Sequence, residues 1–126
     1  MEDKKAKILI AEDDPAQLMM LEVSLMNAGY SVVTATNGKT TITQASAEKP
    51  DLIFLDMLMP DIGGLDVIKK LKGDPITKNI KIVALSNLNK KEIIDQCLAA
   101  GALDFLVKML FVPKDIVEKV GEYLKK

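Results

Sequence analysis

Ile8-Leu9-Ile10-Ala11-Glu12-Asp13-Asp14-Pro15 takes four apolar residues straight into three acids and a proline. The apolar part is one strand long and does not alternate with polar residues, which is how a strand covered on both faces reads. Asp14-Pro15 reads as a helix N-cap followed by the first helical position. A buried strand, an acidic turn and a helix start therefore share one short stretch, and that sequence of elements sets the expectation for the rest.

The same alternation recurs outward from it. Val32–Ala35, Leu52–Leu55, Ile82–Leu85 and Phe105–Val107 are further apolar runs of strand length. Between them, Leu18, Leu21, Glu22 and Leu25 keep a helical spacing that stops near Gly29. Leu65, Ile68 and Leu71 do the same with Lys69, Lys70 and Lys72 facing outward. Ile93, Ile94, Cys97 and Leu98 form a stripe closed by Gly101, and Ile116, Val117, Val120 and Leu124 form the last, opened by Pro113. Gly38 to Glu48 gives the weakest signal: Thr40-Thr41-Ile42-Thr43 is β-branched, although Ala45 and Ala47 still allow a helix. Five βα units predict an α/β fold, a doubly wound parallel sheet with helices on both faces. Five strands suit the order 2-1-3-4-5, whose crevice lies between strands one and three.

Composition narrows the class. The chain has 126 residues, 48% apolar and 28% charged, enough for one compact domain with its own core. The single cysteine, Cys97, excludes an internal disulfide framework and fits a reducing compartment. No apolar run approaches the ~18–20 residues of a membrane span. The charged start, Met1 to Lys7, has no signal-peptide core behind it, so a cytoplasmic location is expected. A formal net charge of −1 argues against a broad electrostatic grip on nucleic acid. The chain contains no histidine, so no imidazole of its own serves as base, nucleophile or ligand.

In a doubly wound sheet, chemistry collects beyond the carboxyl ends of the strands. Those ends read Glu12-Asp13-Asp14, Thr36-Asn37, Asp56-Met57-Leu58, Ser86-Asn87 and Lys108. Strands one and three flank the switch point, so Glu12 and Asp13 are expected to face Asp56. Three carboxylates there repel: at about 4 Å and an effective dielectric near 20, each pair costs about 4 kcal/mol. A hard divalent cation with several waters relieves this, and a small octahedral site suits Mg²⁺. Carboxylate, cation, lysine and hydroxyl at one point are what phosphoryl transfer requires, the carboxylate acting as nucleophile. Taken singly, Asp14 is a helix cap, Glu12-Asp13 a solvated loop, Ser86 a turn residue and Lys108 a surface lysine. Asp56 is harder to dismiss, because it directly follows an apolar run where an unpaired charge is costly. The joint placement on one rim favours the site.

These residues resemble a receiver domain of the two-component response regulators, from about Lys7 to Leu124. The resemblance rests on Ile8-Leu9-Ile10-Ala11-Glu12-Asp13-Asp14, on Leu52-Ile53-Phe54-Leu55-Asp56-Met57-Leu58-Met59-Pro60 with Gly63-Gly64-Leu65, on Val83-Ala84-Leu85-Ser86, and on Gly101-Ala102 through Asp104-Phe105-Leu106-Val107-Lys108. It implies a CheY-like, flavodoxin-like (βα)5 fold and a single receiver domain over 1–126 with no output domain. It implies that Asp56 is the phosphoacceptor and that Glu12, Asp13, Asp56 and the backbone carbonyl of Leu58 hold Mg²⁺. Ser86 and Lys108 would meet the phosphoryl oxygens, and Phe105 would occupy the aromatic switch position and change the face made by the fourth helix, fifth strand and fifth helix. The expected partners are a sensor histidine kinase or phosphotransfer protein and a downstream protein target, with no direct nucleic acid or membrane contact. A monomer, or a weak dimer on phosphorylation, is expected. The chain would be a switch rather than a turning-over enzyme, catalysing only its own phosphorylation and a slow autodephosphorylation.

One departure from the family matters. Most receivers follow the lysine with a proline in a cis peptide; here Met109 follows Lys108, and a trans bond is expected because cis costs ~3 kcal/mol before a non-proline residue. Met109-Leu110-Phe111-Val112 is unusually apolar for that loop; local packing over the last helix is the favoured expectation, an exposed contact patch the alternative. Leu58 and Leu88, two residues beyond Asp56 and Ser86, are apolar and expected to overhang the phosphoryl group, unable to orient an attacking water.

Three other functions fit the sequence less well. An FMN-binding electron carrier needs a hydroxyl- and glycine-rich phosphate loop where Glu12-Asp13-Asp14 stands. An aspartate-nucleophile phosphatase typically carries an acid where Leu58 stands. A receiver that binds partners without being phosphorylated is disfavoured by the intact acid, serine and lysine set.

Overall fold

The computed structural model describes residues 6–126; the charged start Met1 to Lys5 lies outside them. Five strands and five helices alternate: β1 (Lys7–Ala11), α1 (Pro15–Asn27), β2 (Ser31–Ala35), α2 (Gly38–Glu48), β3 (Leu52–Leu55), α3 (Gly64–Lys72), β4 (Lys81–Ser86), α4 (Lys91–Ala99), β5 (Asp104–Val107) and α5 (Pro113–Leu124). All pairings are parallel and the sheet order is β2-β1-β3-β4-β5, as the alternation predicts. The central strand β3 is apolar and buried along its whole length because helices cover both faces. One core cluster contains Leu9, Ile53, Leu55, Val67, Ile68, Leu71, Ile82 and Cys97. The other, on the opposite face, contains Ile8, Ile10, Leu21, Leu25, Phe54, Ile116, Val120 and Tyr123.

Local signals place the helices. The Asp14 side chain accepts the Ala16 N–H at 3.0 Å, and Pro15 opens α1. Gly29 and Gly101, past the ends of α1 and α4, have φ of +98° and +118°, a region a side chain disfavours. The weakest signal also resolves to a helix. Asn37 caps α2 by accepting the Thr40 N–H at 2.8 Å, and the hydroxyls of Thr41 and Thr43 donate back to carbonyls one turn earlier. The helix α5 begins at Pro113, and the Asp115 carboxylate accepts the Val112 N–H at 3.2 Å.

Register brings the carboxyl ends of the strands level. Ala11 pairs with Leu55, Leu55 with Ala84, and Ser86 with Val107. The residues that follow, Glu12, Asp56 and Lys108, therefore leave the sheet along one rim with Ser86. The Glu12 N–H donates to the Ala35 carbonyl at 3.0 Å and the Asp56 N–H to the Ala11 carbonyl at 3.1 Å. These bonds carry the ladder one step beyond the strands and fix the acids' backbones.

Candidate functional site

The rim closes around one carboxylate. Asp56 is only 7% exposed, and both its oxygens are engaged. Its Oδ1 accepts the Ser86 hydroxyl at 2.7 Å and the Leu58 N–H at 3.1 Å. Its Oδ2 accepts the Lys108 ammonium at 3.0 Å. The same ammonium donates to Glu12 Oε1, so Lys108 bridges the two buried acids. The second Glu12 oxygen accepts the Asp14 N–H at 3.0 Å. Ser86 is fully buried, and its oxygen also accepts the Leu88 N–H at 3.2 Å, so the hydroxyl proton is committed to Asp56. Among the described residues no buried side-chain polar atom is left without a partner.

Charge here is balanced locally. Burial first of all pushes the Glu12 carboxyl above its ordinary range, against the pull of Lys108. Burial works against the Lys108 charge, but the bonds to Glu12 and Asp56 outweigh it and hold the amine above its ordinary value. Carboxylate oxygens of Glu12, Asp13 and Asp56 lie within 4.8 Å of one another, with Asp13 exposed. They edge a recess of about 400 Å³ that Leu58, Ser86, Asn87 and Lys108 also line. Behind Lys108 lies a smaller cavity of about 130 Å³, walled by apolar side chains such as Leu21, Phe54, Leu85 and Ile116. Lys108 therefore runs along an apolar wall with its charged end toward the acids.

The residues singled out in the sequence fall as follows. Glu12, Asp13, Asp56, Ser86 and Lys108 converge. Leu58 edges the recess and is 59% exposed, whereas Leu88, in the β4–α4 loop, is half-buried, packs against the first core cluster and does not line the recess. Phe105 is half-buried, packs against the first core cluster, and pairs in register with Ala84. Asp14 is a helix cap. The favoured expectation for Met109–Val112 needs correction. Met109, Leu110 and Val112 are 69%, 71% and 59% exposed; the first two stand in a short 3₁₀ turn, Lys108–Leu110, and Val112 at the N-cap of α5. Phe111 alone packs inward, with the Lys119 ammonium 5.8 Å from its ring centre. No peptide among the described residues is cis, so the Lys108–Met109 bond is trans as expected.

Two contacts had no clear trace in the sequence. Asp61, in the β3–α3 loop, accepts the N–H groups of Gly38 and Lys39 at 2.7 and 2.9 Å. It thus caps α2 from a distant segment and ties the loop after Asp56 in place. The Asn87 side-chain oxygen accepts the Met109 N–H at 2.7 Å, which joins the loops carrying Ser86 and Lys108.

Residues 8–121 match the model of the response regulator receiver domain. The chain belongs to that family. It is 36% identical to the chemotaxis protein CheY of Thermotoga maritima, over 94% of this chain and 98% of that one. It is 40% identical to the response regulator PleD of Caulobacter vibrioides, over 82% of this chain but only 23% of PleD. Against the alkaline phosphatase synthesis regulator PhoP of Bacillus subtilis it is 30% identical, over 95% of this chain and 49% of PhoP. A response regulator structure from Chloroflexus aurantiacus superposes with a TM-score of 0.88 at 32% identity, covering 98% of this chain and all of that one. CheY4 of Vibrio cholerae superposes at 0.87 with 28% identity, covering 95% and 99% of the two chains. Receiver domains are signalling switches rather than metabolic enzymes, and this receiver has the acidic cluster, serine and lysine assembled on one rim.

Proposed function

We propose that the chain is a phosphorylation-activated switch that takes a phosphoryl group on Asp56, in a Mg²⁺-dependent reaction, from a histidine kinase or phosphotransfer protein. One observation carries this: a single buried carboxylate has a hydroxyl at 2.7 Å, an ammonium at 3.0 Å and two further acids beside it. No histidine occurs among these 126 residues, so the donor imidazole lies outside them.

The donor set fits a hard divalent ion: three carboxylates, one of them exposed, on an open recess that leaves room for waters. Glu12, Asp13 and Asp56 would hold Mg²⁺ with the Leu58 carbonyl, and the ion would supply neutralising charge to the phosphoryl oxygens. An Asp56 oxygen attacks phosphorus; the new O–P bond forms as the P–N bond to the donor imidazole breaks, the electron pair leaving with nitrogen. Esterifying either Asp56 oxygen frees a donor already in place, the Ser86 hydroxyl and Leu58 N–H from one or the Lys108 ammonium from the other. Those donors pass to phosphoryl oxygens. The group adds ~1 negative charge and strong acceptors, which strengthens their pull.

Ser86 moving toward phosphate opens space on the side of β4 that Phe105 packs beside. Phe105 has no hydroxyl, so it reports the change by packing alone, and the α4–β5–α5 face shifts its population toward the form that partners read. Reversal is slow. Leu58, at the recess, and Leu88, two residues beyond Ser86, have apolar side chains that cannot hold a water for attack, so the acyl phosphate persists for many minutes or longer. Leu58→Asn and Leu88→Glu are each expected to shorten the phosphorylated lifetime; unchanged decay in both refutes that placement.

Residues 7–124 form the core of a single receiver acting in the cytoplasm through protein contacts, as a monomer or a weak phosphorylation-dependent dimer, without touching nucleic acid or membrane. Incubation with acetyl phosphate and Mg²⁺ followed by intact mass measurement tests the central step. Wild type should gain one phosphate and Asp56→Asn none; a wild type that gains none overturns it.

A further inference from the structure

We infer that Asn87 is a positioning residue for Lys108, acting through the Met109 N–H, an arrangement possible only because residue 109 is not proline. The inference rests on the phosphoacceptor role of Asp56 proposed above. The only group at Met109 facing Asn87 is an N–H donor, so the Asn87 oxygen, not its amino group, must point there; the bond is 2.7 Å long. Asn87 is exposed and belongs to no helix or strand, so it has no packing task that would hold it in place. Its neighbours are fixed instead. Ser86 donates to Asp56 Oδ1, and the Leu88 N–H donates to the Ser86 oxygen. The segment 86–88 is therefore anchored to the acceptor carboxylate, and Asn87 extends that anchor to the residue after Lys108.

Lys108 needs such an anchor. It begins a 3₁₀ turn whose next two residues, Met109 and Leu110, are largely exposed and contribute little packing to hold the loop. A long, flexible ammonium contributes to transfer only when it meets the phosphoryl oxygens at the right distance. Tying the Met109 backbone to the β4–α4 loop makes the serine and lysine donors one unit, so they advance on a phosphoryl group together. Proline at position 109 has no N–H and cannot be held in this way.

A mutant cycle on phosphorylation by acetyl phosphate at saturating Mg²⁺ tests the inference. Asn87→Ala should slow phosphorylation roughly five-fold, well below the ~10²-fold that a full 1 Å misplacement can cost, because the ion pairs to Glu12 and Asp56 still hold the ammonium. Mg²⁺ affinity by calorimetry should stay within about two-fold, since Asn87 contributes no carboxylate. In a Met109→Pro chain, which lacks the N–H, Asn87→Ala should cost nothing more. Equal slowing in both backgrounds, or none in either, overturns the inference. Two NMR readouts need no phosphate: protection of the Met109 amide from exchange, and the Lys108 side-chain methylene shifts. Both should change in Asn87→Ala and not in Met109→Leu; if Asn87→Ala leaves both unaltered, the tether is refuted. A wild type that takes no phosphate refutes the proposed function, and these two readouts then decide the tether alone.

Discussion

Gly64 sits where a side chain has no room. A Cβ there would lie 2.7 Å from the Asp56 carbonyl oxygen and 2.5 Å from Met57 Cε. The first turn of α3 can press against the strand end that carries Asp56 only because residue 64 is glycine. Gly64→Ala is expected to destabilise the fold by about 1–3 kcal/mol, read by urea unfolding, and to slow phosphorylation by displacing the Asp56 backbone. Gly38 is similar: its Cβ would meet Ile62 at 2.8 Å, in the loop whose Asp61 caps α2. Hydrogen bonds from the Lys39 N–H first and the Gly38 N–H next hold the Asp61 carboxyl down at about 2, despite its exposed side chain. A depressed carboxyl stabilises the fold above its unfolded value of 3.8 and loses that contribution as pH falls through about 2. The stability difference between wild type and Asp61→Asn should therefore be full at pH 6 and vanish near pH 2. A difference of equal size at both pH values contradicts the assignment.

At the scale of elements, α2 and the β5–α5 loop show how context overrode local sequence. Four residues with poor helix propensity, Thr40 to Thr43, sit in a helix because Asn37 and Asp61 satisfy its first N–H groups and Ala45 and Thr41 bury against the sheet. The propensity penalty of a few tenths of a kcal/mol per residue is smaller than what capping and burial return. In the β5–α5 loop the apolar run splits by residue: Phe111 packs while Met109, Leu110 and Val112 face solvent. Leu110→Asp should therefore change stability by less than about 0.5 kcal/mol, whereas Phe111→Ala should cost about 1–2 kcal/mol, below the range of a fully buried phenylalanine. Thermal unfolding of the two variants side by side checks this, and equal effects would show that the loop packs as one unit.

For the molecule as a whole, the binding rim is in tension with stability. Two buried acids share one lysine with the exposed Asp13 carboxylate beside them, and burial lifts the Glu12 carboxyl because the ionised form is poorly solvated. Asp13→Asn should raise the melting temperature of the metal-free protein by a few degrees, roughly 1 kcal/mol, by removing a repulsive charge. Millimolar Mg²⁺ should raise the melting temperature of wild type by mass action and that of Asp13→Asn by clearly less. Calorimetric scans with and without Mg²⁺ check both, and an equal Mg²⁺ response in the two proteins argues against Asp13 as a ligand.

Much of this was readable before any coordinates. Apolar runs such as Leu52–Leu55 carry no polar residue, so they had to be strands covered on both faces; the βα alternation then allowed few topologies. Because parallel strands end level on one rim, Glu12, Asp13, Asp56, Ser86 and Lys108 could be brought together from their places at strand ends alone. Strand ends are local features, written in short contiguous stretches. The contacts that escaped are non-local. Asp61 reaches α2 and Asn87 reaches Met109 across loops whose paths depend on how neighbouring helices pack, and no periodicity marks a residue for such a bond. The exposure of Met109 and Leu110 was likewise settled by the turn that begins at Lys108, because an apolar residue in a loop is buried only if the backbone aims it inward. Local pattern thus decided the sheet and its acids, while the folded chain decided which loops hold those acids, serine and lysine in register.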